Sequence, residues 1–209
     1  LTLQAQSEDG PVRLLVADGR AGAWRGYFEP RDGMALPEAG EATLEALFGS
    51  GHLAITFDIA ESGQRYQGIV PLEGASLAAA VERYFAASEQ LPTLVRVAIA
   101  LGAEGAGGSV AGGLLLQHLP EGEEGRERLH VRLDHPEWEH VSIMGGSVSD
   151  TELADRGLQL EEIVWRLFHE ESEIRATGSW HLTRGCRCSV EHFETVLARF
   201  PKQERRDMA

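Results

Sequence analysis

The sequence predicts an α+β fold: an antiparallel, hairpin-connected sheet, a helix covering one of its faces, and a run of helices further along. Three observations carry this expectation. From Leu1 to about Gly74, short segments rich in β-branched, aromatic and aliphatic residues alternate with turn clusters such as Ser7-Glu8-Asp9-Gly10, Arg31-Asp32-Gly33 and Glu61-Ser62-Gly63. Between Ser76 and Ser88, apolar residues recur at intervals of three and four, which places them on one helical face. At Pro120-Glu121-Gly122-Glu123-Glu124-Gly125 the composition turns polar and flexible, and the periodicity beyond it is helical.

Taken in order, Leu1 to Gln6 alternates apolar and polar residues from the first position, as a strand already in progress would. Val12 to Ala17, Trp24 to Phe28, His52 to Ile59 and Arg65 to Val70 read as further strands, with a short helix at Thr43 to Phe48 whose Leu44, Leu47 and Phe48 share a face. Ser76 stands as the N-cap of a helix carrying Leu77, Ala80, Val81, Tyr84, Phe85 and Ser88, and Pro92 ends it. Thr93 to Leu101 returns to a strand pattern, Gly102 to Gly113 reads as a glycine-rich connection, and the apolar run Leu114-Leu115-Leu116 follows. Residues 1 to about 120 thus form one layered unit of strands and a covering helix. After the joint, helices are expected over Glu127 to Met144, Asp150 to Asp155 and Gln159 to Glu170, the last with Leu160, Ile163, Val164, Leu167 and Phe168 on its apolar side. Ile174 to Leu182 looks extended, and Ser189 caps a last helix with Val190, Phe193, Leu197 and Phe200 on one face.

Of the 209 residues, 43% are hydrophobic, 25% charged and 7% aromatic, the balance of a chain that folds around a core. The formal net charge of −14 and a pI near 5.0 repel phosphate backbones and anionic bilayers, so neither nucleic acid nor membrane is an expected partner. No stretch approaches the roughly 20 apolar residues of a membrane span, and the chain opens without a basic, then apolar, leader pattern. Two cysteines one residue apart do not make a secreted disulfide framework, and a reducing, cytoplasmic location is expected. The first residue is Leu, not Met, and the chain closes on the charged run Lys202 to Ala209 without a stop signal, which suggests a fragment at both ends.

Several enzyme-like patterns fail on inspection. The run Gly102-Ala103-Glu104-Gly105-Ala106-Gly107-Gly108 lacks the Gly-Lys-Ser/Thr of a phosphate cradle and reads as a strand-to-strand loop. Ser109, Ser147 and Ser149 have no nucleophile-elbow setting. His130, His135 and His140 recur every five residues, which does not stack them on one helical face as a metal clamp requires, so they read as solvated surface; His169-Glu170-Glu171 reads as an exposed helix end. No catalysis is expected. Cys186-Arg187-Cys188 is different: in a turn, two such thiols converge on one ion. Tetrahedral zinc needs two more ligands, and within this chain His181 and His192 are the nearby candidates; free thiols without metal are the alternative. Flanking Arg184 and Arg187 favour the thiolates and with them reactivity towards oxidants.

Four strings, in order along the chain, resemble the thirty-three kilodalton redox-regulated heat-shock chaperonin family. They are Arg65-Tyr66-Gln67-Gly68-Ile69-Val70-Pro71-Leu72-Glu73-Gly74-Ala75-Ser76-Leu77, continuing through Tyr84-Phe85 to Ser88-Glu89-Gln90-Leu91-Pro92-Thr93; Ala111-Gly112-Gly113-Leu114-Leu115-Leu116-Gln117 with Leu119-Pro120; Trp165-Arg166-Leu167-Phe168-His169-Glu170-Glu171; and Cys186-Arg187-Cys188-Ser189. The resemblance runs essentially from Leu1 to Ala209. It implies an antiparallel-sheet-rich substrate-binding domain with a covering helix over residues 1–125, a helical linker over 126–180, and the start of a small zinc-binding redox domain over 181–209.

The resemblance also implies function. In that family a Cys-x-Cys and a later Cys-x-x-Cys surround one zinc; Cys186 and Cys188 match the first pair, and the other two ligands would lie outside this chain, leaving its zinc site incomplete. Oxidation would pair Cys186 with Cys188, release zinc and loosen the linker. Unfolding client proteins would then be held without ATP, by a protein that dimerises when active and can exchange terminal elements. The competing reading is a small zinc-stabilised interaction module using Cys186, Cys188, His181 and His192 with no redox role.

Overall fold

In a computed structural model, the structure describes residues 1–38, 42–59, 62–102, 108–119, 135–185 and 189–207, less the side chains of His192 and Asp207. The chain is α+β, with an antiparallel-rich sheet and several helices. Five strands, β1 (Thr2–Ser7), β2 (Val12–Arg20), β3 (Ala23–Pro30), β4 (Gly51–Asp58) and β5 (Arg65–Pro71), form one sheet in the order β5-β4-β1-β2-β3, all neighbours antiparallel. β2 and β3 close through Ala21 and Gly22, both at positive φ (50° and 82°), the two-residue turn whose twist matches a hairpin. Both strands run longer than the sequence pattern suggests, because this turn lets pairing continue from Arg20↔Ala23 back to Val12↔Pro30 across one register shift near Val12 and Leu14.

Alternation decides which face is buried. Ala5, Leu53, Ile55 and Val70 point to one side, where α1 (Leu44–Phe48) and α2 (Leu77–Tyr84) cover them, while Gln4, Gln6, Thr56 and Gln67 occupy the other. The Ser76 hydroxyl accepts from the Ala79 N–H, so α2 starts at the cap expected from the sequence, and the Thr43 hydroxyl caps α1 in the same way by accepting from the Ala46 N–H. Tyr84 is fully buried, its ring lying over Gly68 where a Cβ would overlap it, and its hydroxyl donates to Glu89 at 2.8 Å. Beyond Tyr84 the helix widens over Phe85–Glu89 and stops at Gln90, a left-handed residue with φ 55°. The turn between β1 and β2 is fastened to the end of α1: the buried Ser7 hydroxyl donates to the Phe48 carbonyl and accepts from the Gly10 N–H at 2.6 Å.

A second, separate core lies between the hairpin β6 (Thr93–Ala100) and β7 (Val110–Gln117) and three helices, α3 (Pro136–Gly146), α4 (Asp150–Leu153) and α5 (Leu160–Phe168). Ala98, Val148, Leu153, Ile163, Leu167 and Phe168 are buried there. Three expectations change. The glycine-rich connection is shorter than expected, since Val110, Ala111, Gly112 and Gly113 belong to β7; Gly112 sits where the Leu153 carbonyl would overlap any Cβ, so close approach of α4 is what requires glycine. The helix expected from Glu127 begins at Pro136, because His135 is its N-cap and its ring nitrogen accepts from the Glu137 N–H. Leu160, the first residue of α5, is 73% exposed rather than on its buried side, which carries Ile163, Leu167 and Phe168. Residues 103–107 and 120–134, which include His130 and the polar joint, lie outside the described residues.

Past α5, residues 174–182 form neither helix nor strand, and β8 (Thr183–Arg184) pairs parallel with β3, a sixth strand at the edge of the large sheet. α6 (Val190–Leu197) and α7 (Lys202–Asp207) complete the described elements.

Candidate functional site

The thiol motif singled out by the sequence, Cys186-Arg187-Cys188, lies outside the described residues, so the structure gives its flanks. On its N-terminal side the chain is docked to the β2–β3 turn: the Thr183 N–H donates to the Gly22 carbonyl at 2.8 Å and the Gly185 N–H to the Trp24 carbonyl at 2.9 Å. Gly185 is pressed against Ala23, where a Cβ would overlap the alanine methyl, and Gly22 faces the His181 carbonyl. Gly185, the residue before the motif, is therefore held on the sheet edge. A cleft of about 810 Å³ opens beside that point, lined by Leu1, Arg20, Trp24, Asp58, Ile59 and Gln64 among others. On the C-terminal side, the Phe193 N–H donates to the Ser189 carbonyl at 3.1 Å, which sets the first turn of α6.

Zinc is the group the motif suggests, and the donor chemistry of the chain can be tested against it. Two thiols are half of a tetrahedral thiolate set. His181 is exposed, and among the described residues no group of three His, Cys, Asp or Glu is placed to hold a metal. The described residues therefore do not complete a zinc site.

The other prominent feature is apolar surface. α6 turns Val190, Phe193, Leu197 and, just after it, Phe200 outward, with Val190 at 74% exposure. Trp180 (83%) and Leu182 lie exposed ahead of β8, and Trp165 stands out from α5. The outer face of the β6–β7 hairpin carries Val97, Ile99 and Leu115, opposite the face that α3 to α5 cover.

Polar ties join the elements of the helical layer. His140 and Glu171 pair at 2.8 Å between α3 and the end of α5, and Arg96 approaches Asp150 at 3.6 Å. His118 at the end of β7 lies parallel to the Trp138 ring (centroids 6.3 Å) and edge-on to His135 (5.0 Å), with its buried Nδ1 unpartnered among the described residues. His118 carries no motif in the sequence, and only the fold reveals its position. His140 and Glu171 are exposed, as read from the sequence, and pair with each other there, while the partly buried His135 caps α3.

Comparison with known proteins decides the family. A family model described as Hsp33 protein matches residues 1–209. The chain belongs to the Hsp33 family. It is 35% identical over 213 residues to the 33 kDa chaperonin of Caulobacter vibrioides, covering 100% of this chain and 68% of that protein. It is 38% identical over 210 residues to the 33 kDa chaperonin of Shewanella sediminis, covering 98% of this chain and 63% of the relative. The crystal structure of the 33 kDa chaperonin (heat shock protein 33 homolog) from Thermotoga maritima shares the fold, with a TM-score of 0.72 at 21% identity over 99% of this chain and 67% of that one. This chain thus spans about two thirds of the length of these Hsp33 relatives. Among the described residues, no helix is long and apolar enough to cross a membrane.

Proposed function

We propose that this chain is the greater part of an ATP-independent holdase chaperone, which binds unfolding proteins and is switched on by oxidation. The observation that carries the reading is the concentration of exposed apolar side chains, Trp180, Leu182, Val190, Phe193, Leu197 and Phe200, on both flanks of the thiol motif of an Hsp33-family chain. Exposed apolar surface of this extent marks a place where another polypeptide binds, and a net charge of −14 keeps a protein bearing it in solution. Naming of relatives as 33 kDa chaperonins supports the same reading.

In the reduced state, Cys186 and Cys188 would hold zinc together with two thiolates from outside this chain, and the metal would supply folding free energy to a unit too small to find it in apolar burial. Oxidation by hydrogen peroxide joins the two sulfurs: the two thiolates give up two electrons as the S–S bond forms, the O–O bond takes them and breaks, and with two protons from solvent two waters leave. With the thiolates consumed, the unit over 181–209 and the helical segment over 126–180 loosen and offer apolar surface to clients. The active form would be a cytoplasmic homodimer, with terminal elements exchanged between copies.

The test is light scattering from a thermally unfolding enzyme mixed with the full-length protein. Suppression is expected after peroxide and mild heat and not with the reduced protein; equal suppression by the reduced form overturns the redox switch. The interaction-module alternative is separated by replacing His181 and His192: zinc content falls if they are ligands and stays unchanged if four cysteines hold the metal.

A further inference from the structure

The large sheet has two edges. At one, the two-residue β8 covers β3 at Ala23 and Trp24 only, and the rest of β3, to Pro30, has no described strand on its outer side. At the other lies β5, which no described strand pairs on its outer side. The hairpin offers a comparison: the outward N–H of Val95 in β6 is taken up by the Glu82 carboxylate of α2 at 2.7 Å.

The ladder fixes which groups of β5 are free. The Leu72 N–H donates to Gly51 at 2.9 Å and the Ile59 N–H to Gln64 at 2.8 Å, so hydrogen-bonded pairs fall at Leu53↔Val70, Ile55↔Gly68 and Phe57↔Tyr66. Arg65, Gln67 and Ile69 therefore turn their peptide groups away from β4, and all three residues are exposed. The register is unbroken over seven pairs, with Pro71 only at its end, and Tyr66 and Ile69 (59% exposed) flank the edge with apolar surface. N–H and C=O groups repeated every second residue, about 6.6 Å apart, match one partner conformation, an extended backbone.

We propose that the outer edge of β5 is a docking strand for an extended segment of an unfolding polypeptide, which joins the six-stranded sheet through main-chain hydrogen bonds at Gln67 and Ile69. This rests on the chaperone reading and deepens it, because main-chain recognition takes clients regardless of their sequence. The outward side chains of the edge then add apolar contact rather than specificity.

Amide hydrogen exchange on the full-length, oxidised protein tests it, with the same thermally unfolding enzyme as client. The amides of Gln67 and Ile69 should exchange freely without client and slow roughly tenfold or more in its presence, while those of Gly68 and Val70, already bonded to β4, stay unchanged. Aggregation suppression with no slowing at Gln67 and Ile69 overturns the docking strand and leaves the chaperone reading standing. So does slowing at Ala111, Gly113 and Leu115 of β7 instead, or protection of Gln67 and Ile69 before client is added, whether by the rest of the chain or by a second copy. No suppression under any redox condition overturns both. Ile69→Pro, which removes an outward N–H that β4 does not use, should raise the protein needed for half-suppression about fivefold with the melting temperature nearly unchanged. Ile69→Pro as effective as the parent, while retaining its fold, would count equally against the edge.

Discussion

Tyr84 shows how one residue links the sheet to its helix. Its ring fits over Gly68, and its hydroxyl is satisfied by Glu89, so it is both the largest buried side chain and a donor to a carboxylate. Burial, and then the Glu89 bond, raise the phenol above its ordinary value of 10.0. The raised value stabilises the fold below about pH 10 and is lost as pH climbs through it, because the unfolded state releases its proton first. Tyr84→Phe should cost about 1–2 kcal/mol near neutrality and flatten the decline in stability above pH 10, read by thermal unfolding across pH. Gly112→Ala should cost about 1–3 kcal/mol, at the second core, since its Cβ would meet the Leu153 carbonyl. These residues differ in legibility. Tyr84 stands on a helical period and is readable as core, whereas Gly112 reads as loop because nothing in a sequence says that another backbone approaches it.

Among elements, the start of α2 was legible because Ser76 carries its own capping chemistry, while that of α3 was not; Thr43 and Ser149 cap α1 and α4 in the same way as Ser76. At α4 the Ser149 hydroxyl and N–H both donate to the Glu152 carboxylate, at 2.8 and 3.1 Å, and these bonds, the hydroxyl first, lower its proton affinity below the ordinary value of 4.5. The box is therefore fully formed above about pH 4.5 and opens as pH falls through the lowered value. Glu152→Gln should show faster amide exchange at Leu153 and Ala154 near neutrality and lack the acid-dependent rise expected of the parent. Strands β1 to β5 were legible from alternation, but their order was not, because β1 pairs with β4 across α1 and an intervening hairpin. The parallel pairing of β8 was not legible either: two residues carry no period, and the bond depends on the Gly22 turn being nearby.

At the scale of the whole molecule, the two cores are separate clusters. The first needs only β1 to β5, α1 and α2, and the second joins β6 and β7 to α3–α5. Such an arrangement suits a protein whose helical segment loosens while the large sheet persists, which the proposed switch requires. Denaturation of the full-length protein monitored by exchange should therefore show α3–α5 amides opening at lower free energy than those of β1 and β4 after oxidation. The chemistry of the proposed switch was legible only in part: Cys186 and Cys188 stand out by residue type, whereas no residue type marks the further ligands that the proposed zinc site requires. The most direct test is a peroxide time course on the full-length protein, following free thiols and suppression of client aggregation in the same sample. The account predicts that suppression appears in step with thiol loss; suppression that precedes thiol loss, or persists when the thiols are restored by reductant, would contradict it.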